Sequence, residues 1–241
     1  ASQYEVYRAT TKNGTYTLLG TTTATHYTDN KAGSGYTYYY KVKALAANGA
    51  ESDYSAVVAG ICHCAKPTVK ATYMGASGKP YIKWNTVANA SKYEVYRATT
   101  KSGTYTLLGT TTATHYTDNK AGSGYTYYYK VRAISKVKST ANSVFSVPVA
   151  GICHCAKPTV KITTSAGKPK LTWNAVAGTS KYYIYRSTEA NGTFEYLYST
   201  KNLFYTNKSA VAGTTYYYKV KAVSKVKSSA NSVFSTVVSI R

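Results

Sequence analysis

The sequence predicts an all-β protein built from tandem β-sandwiches, with seven strands in each complete module. A segment with the core Tyr-Tyr-Tyr-Lys-Val occurs three times, at 38–42, 127–131 and 216–220. Its residues alternate between two faces, which indicates strands with one buried and one exposed side. Helix signals are weak, because Thr, Tyr, Val and Gly dominate and no long apolar stripe with helix caps is present.

The alternation assigns a direction to every side chain of these strands. In the second copy, Tyr129 and Val131 are predicted to face the core, and Tyr128 and Lys130 to face solvent. The complete predicted inward set is Tyr38, Tyr40, Val42, Ala44, Tyr127, Tyr129, Val131, Ala133, Tyr216, Tyr218, Val220 and Ala222.

A longer repeat divides the 241-residue chain into domains. Tyr4, Tyr93 and Tyr182 each open a Tyr-x-(Val/Ile)-Tyr-Arg segment, and each lies 89 residues from the next. A unit of this length can bury a modest core of its own, which favours small domains over a solenoid of dependent repeats. The predicted modules are 1–61, 65–152 and 156–241, joined by linkers at 62–64 and 153–155.

The second module shows the elements in order. An Xaa-Gly turn at Ser102-Gly103 recurs at Asn13-Gly14 and Asn191-Gly192, and Asn-Gly between strands is a strong hairpin signal. Short strands separated by such turns are typical of a β-sandwich. The seven predicted strands are 66–73, 80–85, 93–97, 105–108, 115–117, 125–133 and 143–147.

The first module is expected to lack its first two strands. Residues 65–92 precede Tyr93 within the second module, whereas only three residues precede Tyr4. The apolar faces of Tyr4 and Val6 would then be uncovered, and such patches rarely stay bare. We expect an upstream Lys-Pro-Thr-Val strand and a Lys-Trp-Asn-like strand, or another chain, to cover them.

Several motifs resemble the fibronectin type III pattern over nearly the whole chain. These are Trp84 in the second strand, the Tyr-x-Val of the third strand at Tyr93, and the Gly-Thr-x-Tyr that ends at Tyr216. The resemblance implies immunoglobulin-like sandwiches, in which the first tyrosine of each triplet bonds backbone upstream as a tyrosine corner. Tyr-Arg-Ala-Thr and related phrases are similar to tandem modules of clostridia-like Gram-positive surface proteins. No Arg-Gly-Asp precedes the last strand, so animal-type integrin binding is not implied.

A Cys-His-Cys motif occupies each predicted linker. The termini of the resembling sandwiches leave from opposite poles, so Cys62 and Cys153 would be too far apart to form a disulfide. Local disulfides, free thiols and bonds to a partner chain remain open for Cys62, Cys64, Cys153 and Cys155. A metal site is disfavoured, because alternation turns His63 away from both sulfurs and no fourth ligand is near. We favour a structural hinge.

The sequence predicts neither catalysis nor a cofactor or metal. His26 and His115 have Phe204 at the third equivalent position, so we interpret them as partly buried packing residues. Asp29 and Asp118 are likewise matched by Asn207. With 8 Asp and Glu in all, no catalytic set common to the repeats can be assembled.

One exposed surface recurs on all three modules, where the outward residues of the third and sixth strands meet. Aromatic rings between cations can stack on sugars or bind an anionic polymer. The alternative is that Tyr and Lys pair across strands and keep an exposed sheet soluble, which we favour. The candidate ligand face comprises Tyr7, Tyr39, Lys41, Lys43, Tyr96, Tyr128, Lys130, Arg132, Tyr185, Tyr217, Lys219 and Lys221.

Charge narrows the functional classes. The 30 Lys and Arg give a formal charge of +22, which suits contact with an anionic cell-wall polymer or glycan. No apolar run is long enough to insert in a membrane, no signal peptide is visible, and no motif reads nucleic acid. We expect a non-catalytic spacer or adhesive stalk of a bacterial cell-surface or secreted protein. The alternative is a specific binding module for a glycan or a host protein.

Overall fold

The computed structural model describes residues 1–241 and contains eighteen β-strands and no α-helix. The first module forms one antiparallel sheet in the order β2-β1-β3-β4. Its strands are β1 (Gln3–Ala9), β2 (Thr17–Thr22), β3 (Thr37–Leu45) and β4 (Val58–Ile61).

The second module contains two antiparallel sheets, one of three strands (β5-β6-β9) and one of four (β11-β10-β7-β8). Its seven strands are β5 (Val69–Tyr73), β6 (Pro80–Trp84), β7 (Ala90–Ala98), β8 (Thr106–Thr111), β9 (His115–Thr117), β10 (Thr126–Ser135) and β11 (Val149–Ile152).

The third module repeats this topology with the sheets β12-β13-β16 and β15-β14-β17-β18. Its strands are β12 (Val160–Ser165), β13 (Lys168–Trp173), β14 (Thr179–Ser187), β15 (Glu195–Thr200), β16 (Phe204–Thr206), β17 (Tyr216–Ser224) and β18 (Val238–Ile240). Short 3-10 helices at Ser139–Ala141 and Ser228–Ala230 precede the last strand of these two modules. The predicted all-β fold with seven strands in each complete module is confirmed.

The two sheets of each complete module enclose one core. In the second module, Trp84 of β6 packs against Tyr93 of β7, with ring centroids 5.3 Å apart. Tyr129 and Val131 of β10 are fully buried in the same cluster, and Tyr127 packs against its edge. The predicted register is therefore correct, because a slip of one residue would have exposed Tyr129. Trp173, Tyr182, Ile184, Tyr216, Tyr218 and Val220 form the matching core of the third module.

The predicted last strand at 143–147 is wrong, since the strand that closes the sheet is β11, further along the chain. The amides of Ser143 and Ser146 donate to the carbonyls of Ala133 and Val131 of β10, but serine hydroxyls replace the return bonds of a regular backbone ladder. The hydroxyl oxygen of Ser143 accepts from the amide of Ala133 at 2.9 Å, and that of Ser146 accepts from Val131 at 3.0 Å. Ser232 and Ser235 make the equivalent bonds in the third module.

The tyrosine corner that the resemblance implies is present in all three modules. The hydroxyl oxygen of Tyr38 accepts from the amide of Gly33 at 3.0 Å, and that of Tyr127 accepts from Gly122 at 3.1 Å. The third corner joins Tyr216 to Val211 at 3.3 Å. These bonds fix the loop that leads into each central strand.

The first module has no second sheet over its inward face. Tyr4 and Val42 are only half-buried there, although Val6 between them is buried. An open groove of about 240 Å³ lies over these three residues, with His26 and Tyr27 on its rim. The groove occupies the side of the sheet that Trp84 and Ile82 cover in the second module.

Candidate functional site

The predicted ligand face contains a lysine held between two aromatic rings in every module. Lys130 of β10 lies 3.9 Å from the ring centroid of Tyr105 and 5.3 Å from that of Phe145. A cation over an aromatic face is attracted by the ring quadrupole, so the pair of rings holds the ammonium group in place. Lys41 lies in the same way between Tyr16 and Tyr54, and Lys219 lies between Phe194 and Phe234.

We call each of these lysines with its two rings a lysine clamp. Each clamp is assembled from three distant parts of the chain. The lysine comes from the sixth-strand position, one ring follows the hairpin turn, and the other precedes the last strand. Neither ring belongs to the ligand face predicted from the sequence. A signal for them exists, because Gly-Thr-(Tyr/Phe) follows each hairpin turn and (Tyr/Phe)-Ser occurs before each last strand.

The outward tyrosine of the third-strand position (Tyr7, Tyr96 or Tyr185) packs against one ring of the clamp. Tyr96 packs edge-to-face on Phe145 with centroids 4.9 Å apart, and Tyr185 packs on Phe234 at 5.0 Å. Tyr7 and Tyr54 repeat the contact at 5.2 Å. Edge-to-face pairs stabilise folded proteins by about 0.5–1.5 kcal/mol beyond area burial, so these rings help to hold the sheet together.

The outward tyrosine of the sixth-strand position lies outside the clamp. Tyr128 pairs across the sheet with Ala98, and Tyr217 pairs with Ser187. Tyr39 pairs with Ala9. The small residues opposite these tyrosines provide no aromatic partner, so these three positions of the predicted face lie beside the cluster and not within it.

A carboxylate completes the cluster in the first two modules. Glu94 accepts the hydroxyl of Tyr96 at 3.0 Å and Arg132 at 2.5 Å. Burial disfavours the charged form of Glu94, but the hydrogen bonds from Arg132 and Tyr96 outweigh it and lower the pKa of the carboxyl group. Glu5 accepts the hydroxyl of Tyr7 at 2.6 Å, and this bond is the main cause of a raised Tyr7 pKa.

The positive charge is unevenly distributed. Residues 65–152 carry twelve Lys and Arg against two acids, and residues 156–241 carry thirteen against two. Residues 1–61 carry five against four. An electrostatic attraction for anionic polymers therefore belongs to the second and third modules, and the first module contributes little to it.

The buried acid of the second module has a structural role. Asp118 is fully buried and accepts from Arg97 at 2.9 Å and from the hydroxyl of Tyr129 at 2.8 Å. In the third module Asn207 takes its place and donates to the hydroxyl of Tyr218 at 2.8 Å. An amide cannot replace a carboxylate in acid–base catalysis, but it can still hydrogen-bond the tyrosine hydroxyl, here as the donor.

The equivalent acid of the first module, Asp29, binds Arg8 at 2.9 Å and Tyr40 at 2.9 Å. Burial disfavours its charged form, but the hydrogen bonds from Arg8 and Tyr40 lower the pKa of the carboxyl group overall. Burial, followed by the bond to Asp29, raises the pKa of Tyr40 to about 12. These contacts tie the two central strands, β1 and β3, to the loop that leads into the tyrosine corner, as in the second module.

The prediction that His26 and His115 are partly buried is wrong, since both residues are exposed, although the His115 ring lies 5.5 Å from that of Tyr81. His115 pairs with Lys83, whereas its neighbour Tyr116 pairs with Ile82 of the core. Because neighbours on a strand face opposite sides, His115 must face solvent when Tyr116 faces the core.

The linker cysteines contact different modules. The thiol of Cys62 donates to the carbonyl of Ala32 in the first module at 3.4 Å, and that of Cys64 donates to Asn89 in the second at 3.8 Å. The second linker repeats this arrangement, with Cys153 bonded to Ala121 of the second module and Cys155 to Gly178 of the third. The two sulfurs of each linker are thus held by different modules. All four cysteines are free thiols in this structure, so of the alternatives left open by the sequence it does not contain the local disulfides. Burial raises the pKa of the Cys64, Cys153 and Cys155 thiols.

Both linkers are hydrogen-bonded to the modules on either side. The carbonyl of Cys62 accepts from Gly35 at 2.6 Å, and the amide of Cys64 donates to Ala141 at 2.9 Å. At the second linker, Cys153 accepts from Gly124 at 2.7 Å and Cys155 donates to Ala230 at 2.9 Å. The side chains of His63 and His154 bond to the carbonyls of Asn142 and Asn231. The linkers are thus fixed on both sides.

Direct contacts between modules accompany each linker. Asn89 donates to the carbonyl of Ser34 at 3.0 Å, and Lys138 donates to the hydroxyl of Thr37 at 3.4 Å. Lys227 bonds to Thr126 at the second linker. There the ring of His154 also stacks on Tyr73, with centroids 3.8 Å apart.

The structure contains no group of three His, Cys, Asp or Glu residues that could hold a metal ion. None of its helices has the length and apolar character needed to span a membrane.

No family model matches the chain. Over 250 residues it is 29% identical to exoglucanase B of Cellulomonas fimi, a match that covers 91% of this chain and 21% of the relative. Over 152 residues it is 34% identical to the poly(3-hydroxybutyrate) depolymerase of Ralstonia pickettii, covering 63% of this chain and 28% of the relative. The chain spans less than a third of the length of either relative.

Solved structures that resemble the chain include fibronectin type III domains. A two-domain segment of chicken tenascin is 12% identical, with a TM-score of 0.46, over 73% of this chain and 98% of the tenascin segment. An Fn3-like protein from Clostridium thermocellum is 27% identical, with a TM-score of 0.31, over 36% of this chain and 90% of that protein.

Proposed function

We propose that this chain is a non-catalytic, extracellular spacer made of three fibronectin type III-like modules with the boundaries predicted from the sequence. The observation that carries the proposal is the repeated junction. Equivalent hydrogen bonds fix Cys62 and Cys153 to the preceding module and Cys64 and Cys155 to the following one. A short linker bonded on both sides holds its neighbours end to end, which suits a stalk.

The two curated relatives support a place beside a catalytic domain. By their names they are an exoglucanase and a poly(3-hydroxybutyrate) depolymerase, and the chain matches only 21% and 28% of their lengths. A spacer of this kind would separate an enzyme domain from the surface or polymer on which it is held. The bacterial cell surface and secretion into the medium are the two locations consistent with this role.

The use of the acids supports a non-catalytic role. Asp29 and Asp118 are ion-paired with arginines, and Glu94 is ion-paired with Arg132. A general acid or base must be able to exchange its proton with a substrate, which these paired and hydrogen-bonded groups are not arranged to do.

The spacer role is tested by measuring distances between the first and third modules. Spin labels at exposed positions, such as Lys12 and Lys201, report these distances in pulsed electron paramagnetic resonance experiments. We expect one narrow distribution for the native chain. Replacing residues 62–64 and 153–155 by Gly-Ser-Gly should broaden it. An equally broad distribution in the native chain would contradict a fixed stalk.

A second candidate function is binding of an anionic cell-wall polymer, a glycan or a host protein through the outer sheet faces. The excess of Lys and Arg over residues 65–241 favours this function. Binding by charge alone should weaken steeply with salt, because exposed charges are screened within about 10 Å at 0.1 M.

A further inference from the structure

The outer face of the third module differs from the other two at one position. Tyr183 stands on β14 where Glu5 and Glu94 stand on β1 and β7, since each lies one residue after the first tyrosine of its repeat. Across the sheet, Glu94 pairs with Arg132 and Tyr183 pairs with Lys221. The third module therefore keeps the cation and loses the carboxylate.

This loss leaves hydrogen-bond donors without an acidic acceptor. In the first two modules, Tyr7 and Tyr96 donate to Glu5 and Glu94. Their counterpart Tyr185 has no carboxylate beside it, and Lys221 forms no ion pair, whereas Lys43 and Arg132 each form one. The four ion pairs of the chain all lie in the first two modules.

The only two acids of residues 156–241 lie away from this face. Glu189 is exposed in the hairpin turn between β14 and β15. Glu195 pairs with Arg186, one residue before Tyr196 on β15, so its side chain leaves the sheet on the opposite side. Lys181, Lys219 and Lys221 thus share the outer face of this sheet with no carboxylate.

Four aromatic rings form a continuous row on the same face. Tyr196 packs edge-to-face on Tyr183 at 5.5 Å and on Tyr185 at 5.9 Å, and Tyr185 packs on Phe234 at 5.0 Å. Tyr196 is 56% exposed. The equivalent positions in the first two modules are Leu18 and Leu107, which face Tyr7 and Tyr96.

We propose that the outer face of the β15-β14-β17-β18 sheet binds a carboxylate-bearing polysaccharide. One carboxylate of the polymer lies beside the Tyr183 ring and supplies the acceptor that Glu94 supplies in the second module. It accepts from the Tyr185 hydroxyl and the Lys221 ammonium group. Hydrogen bonds in which one partner is ionised are roughly twice as strong as bonds between neutral groups. The exposed ring of Tyr196 packs against the apolar C–H face of a sugar. The inference deepens the second candidate function and does not depend on the spacer role.

The occupied ring faces favour a polysaccharide over a nucleic acid. Lys181 lies 5.1 Å from the ring centroid of Tyr183, and Lys219 and Lys221 lie 4.3 and 5.1 Å from that of Phe234. Single-stranded nucleic acids bind by stacking bases on open aromatic faces. Here ammonium groups take those positions, and the row offers phenol hydroxyls and ammonium hydrogens that suit carboxylates and sugar hydroxyls.

The proposal is tested by calorimetric titration of the full chain with polygalacturonate. The key variant is Tyr183→Glu, which restores the internal carboxylate of the other modules and should reduce affinity at least about tenfold. Lys221→Gln should also weaken binding about tenfold, because a hydrogen bond to a charged group is worth about 1.5–3 kcal/mol and each 1.4 kcal/mol is tenfold. Circular dichroism checks that each variant is folded, and Lys221→Gln tests the proposal if Tyr183→Glu does not fold.

Matched controls separate the site from general charge. Leu107 of the second module is the equivalent of Tyr196. Leu107→Glu makes the same charge change as Tyr183→Glu but on the second module, and should leave the affinity within about twofold of the native value. Lys101→Gln, in the exposed hairpin turn of the second module, should do the same. The proposal is overturned if polygalacturonate does not bind. It is also overturned if Tyr183→Glu and Leu107→Glu weaken binding equally, or if single-stranded DNA or polyglutamate binds as tightly as polygalacturonate.

Discussion

Tyr129 donates its phenolic hydrogen to the carboxylate of Asp118 across 2.8 Å, and both side chains are completely buried. Burial, followed by the negative charge of Asp118, raises the pKa of Tyr129. Arg97 reaches the same carboxylate from its own strand at 2.9 Å. The three residues therefore join β7 and β10 to the loop that follows β9.

Removing the carboxylate should destabilise the second module. Asp118→Ala leaves the Arg97 charge and the Tyr129 hydroxyl without a partner, and breaking one side of a buried pair costs about 3–5 kcal/mol. Asp118→Asn should cost less, because Asn207 makes the equivalent bond to Tyr218 in the third module. Urea unfolding followed by Trp84 fluorescence in a Trp173→Phe background measures both changes. Equal losses for Ala and Asn would contradict the account.

The second module should be more sensitive to acid than the third. The hydrogen bonds of Glu94 lower its pKa in the folded state, so they stabilise the fold above about pH 4.5, the ordinary value. This stability is lost as the pH falls through the lower folded value. Tyr183 replaces that carboxylate in the third module.

Acid titration followed separately through Trp84 and Trp173, in single-tryptophan chains, should show the second module losing stability first. Glu94→Gln removes the titrating group, so it should reduce the difference between the two modules. An unchanged difference in this variant would assign the effect to another group.

Truncation of either core tryptophan should be severe. Trp84 and Trp173 are 7% and 6% exposed and pack on Tyr93 and Tyr182. Replacement by Ala should cost about 3–5 kcal/mol, through lost burial and the cavity that is left. Calorimetry of the whole chain should show one module's transition shifted and the other unchanged, which also tests whether the modules unfold independently.

The number and reactivity of the linker thiols should report whether the four cysteines are reduced and which of them are buried at the junctions. We expect four reactive thiols per chain in denaturant without a reducing agent, because all four cysteines are free in this structure. In the folded chain only Cys62 should react readily, since Cys64, Cys153 and Cys155 are buried and burial raises their thiol pKa. Detection of almost no thiols in denaturant would contradict the free thiols of this structure and would favour the disulfide alternatives that the sequence left open.

The alternation of the strands allowed much of the fold to be predicted. Tyr129 and Val131 were placed in the core because side-chain direction along a strand depends only on sequence position. The strand at 143–147 could not be predicted correctly, because the hydroxyls of Ser143 and Ser146 take the place of backbone carbonyls in accepting from the β10 amides. The local sequence of such a segment still looks like a strand.

The candidate face was predicted only in part. Tyr96 and Lys130 follow from the alternation, but Tyr105 and Phe145 reach Lys130 from other parts of the chain. Tertiary contacts of this kind leave no local periodicity in the sequence. Only the residues that make them can be seen there, as motifs repeated in each module. The substitution of Glu94 by Tyr183 was visible in the aligned repeats, but its consequence depends on the contacts of Arg132 and Lys221, which only the structure shows.

The paired contacts of Lys138 with Thr37 and of Lys227 with Thr126 each join residues 101 apart in sequence. The step from the first module to the second therefore shares these contacts, and the linker hydrogen bonds, with the step from the second to the third. A rotation and a translation that are repeated at every step generate a screw. An array lengthened with the same junction would wind about an axis, and its outer faces would point in directions that recur with a fixed pitch.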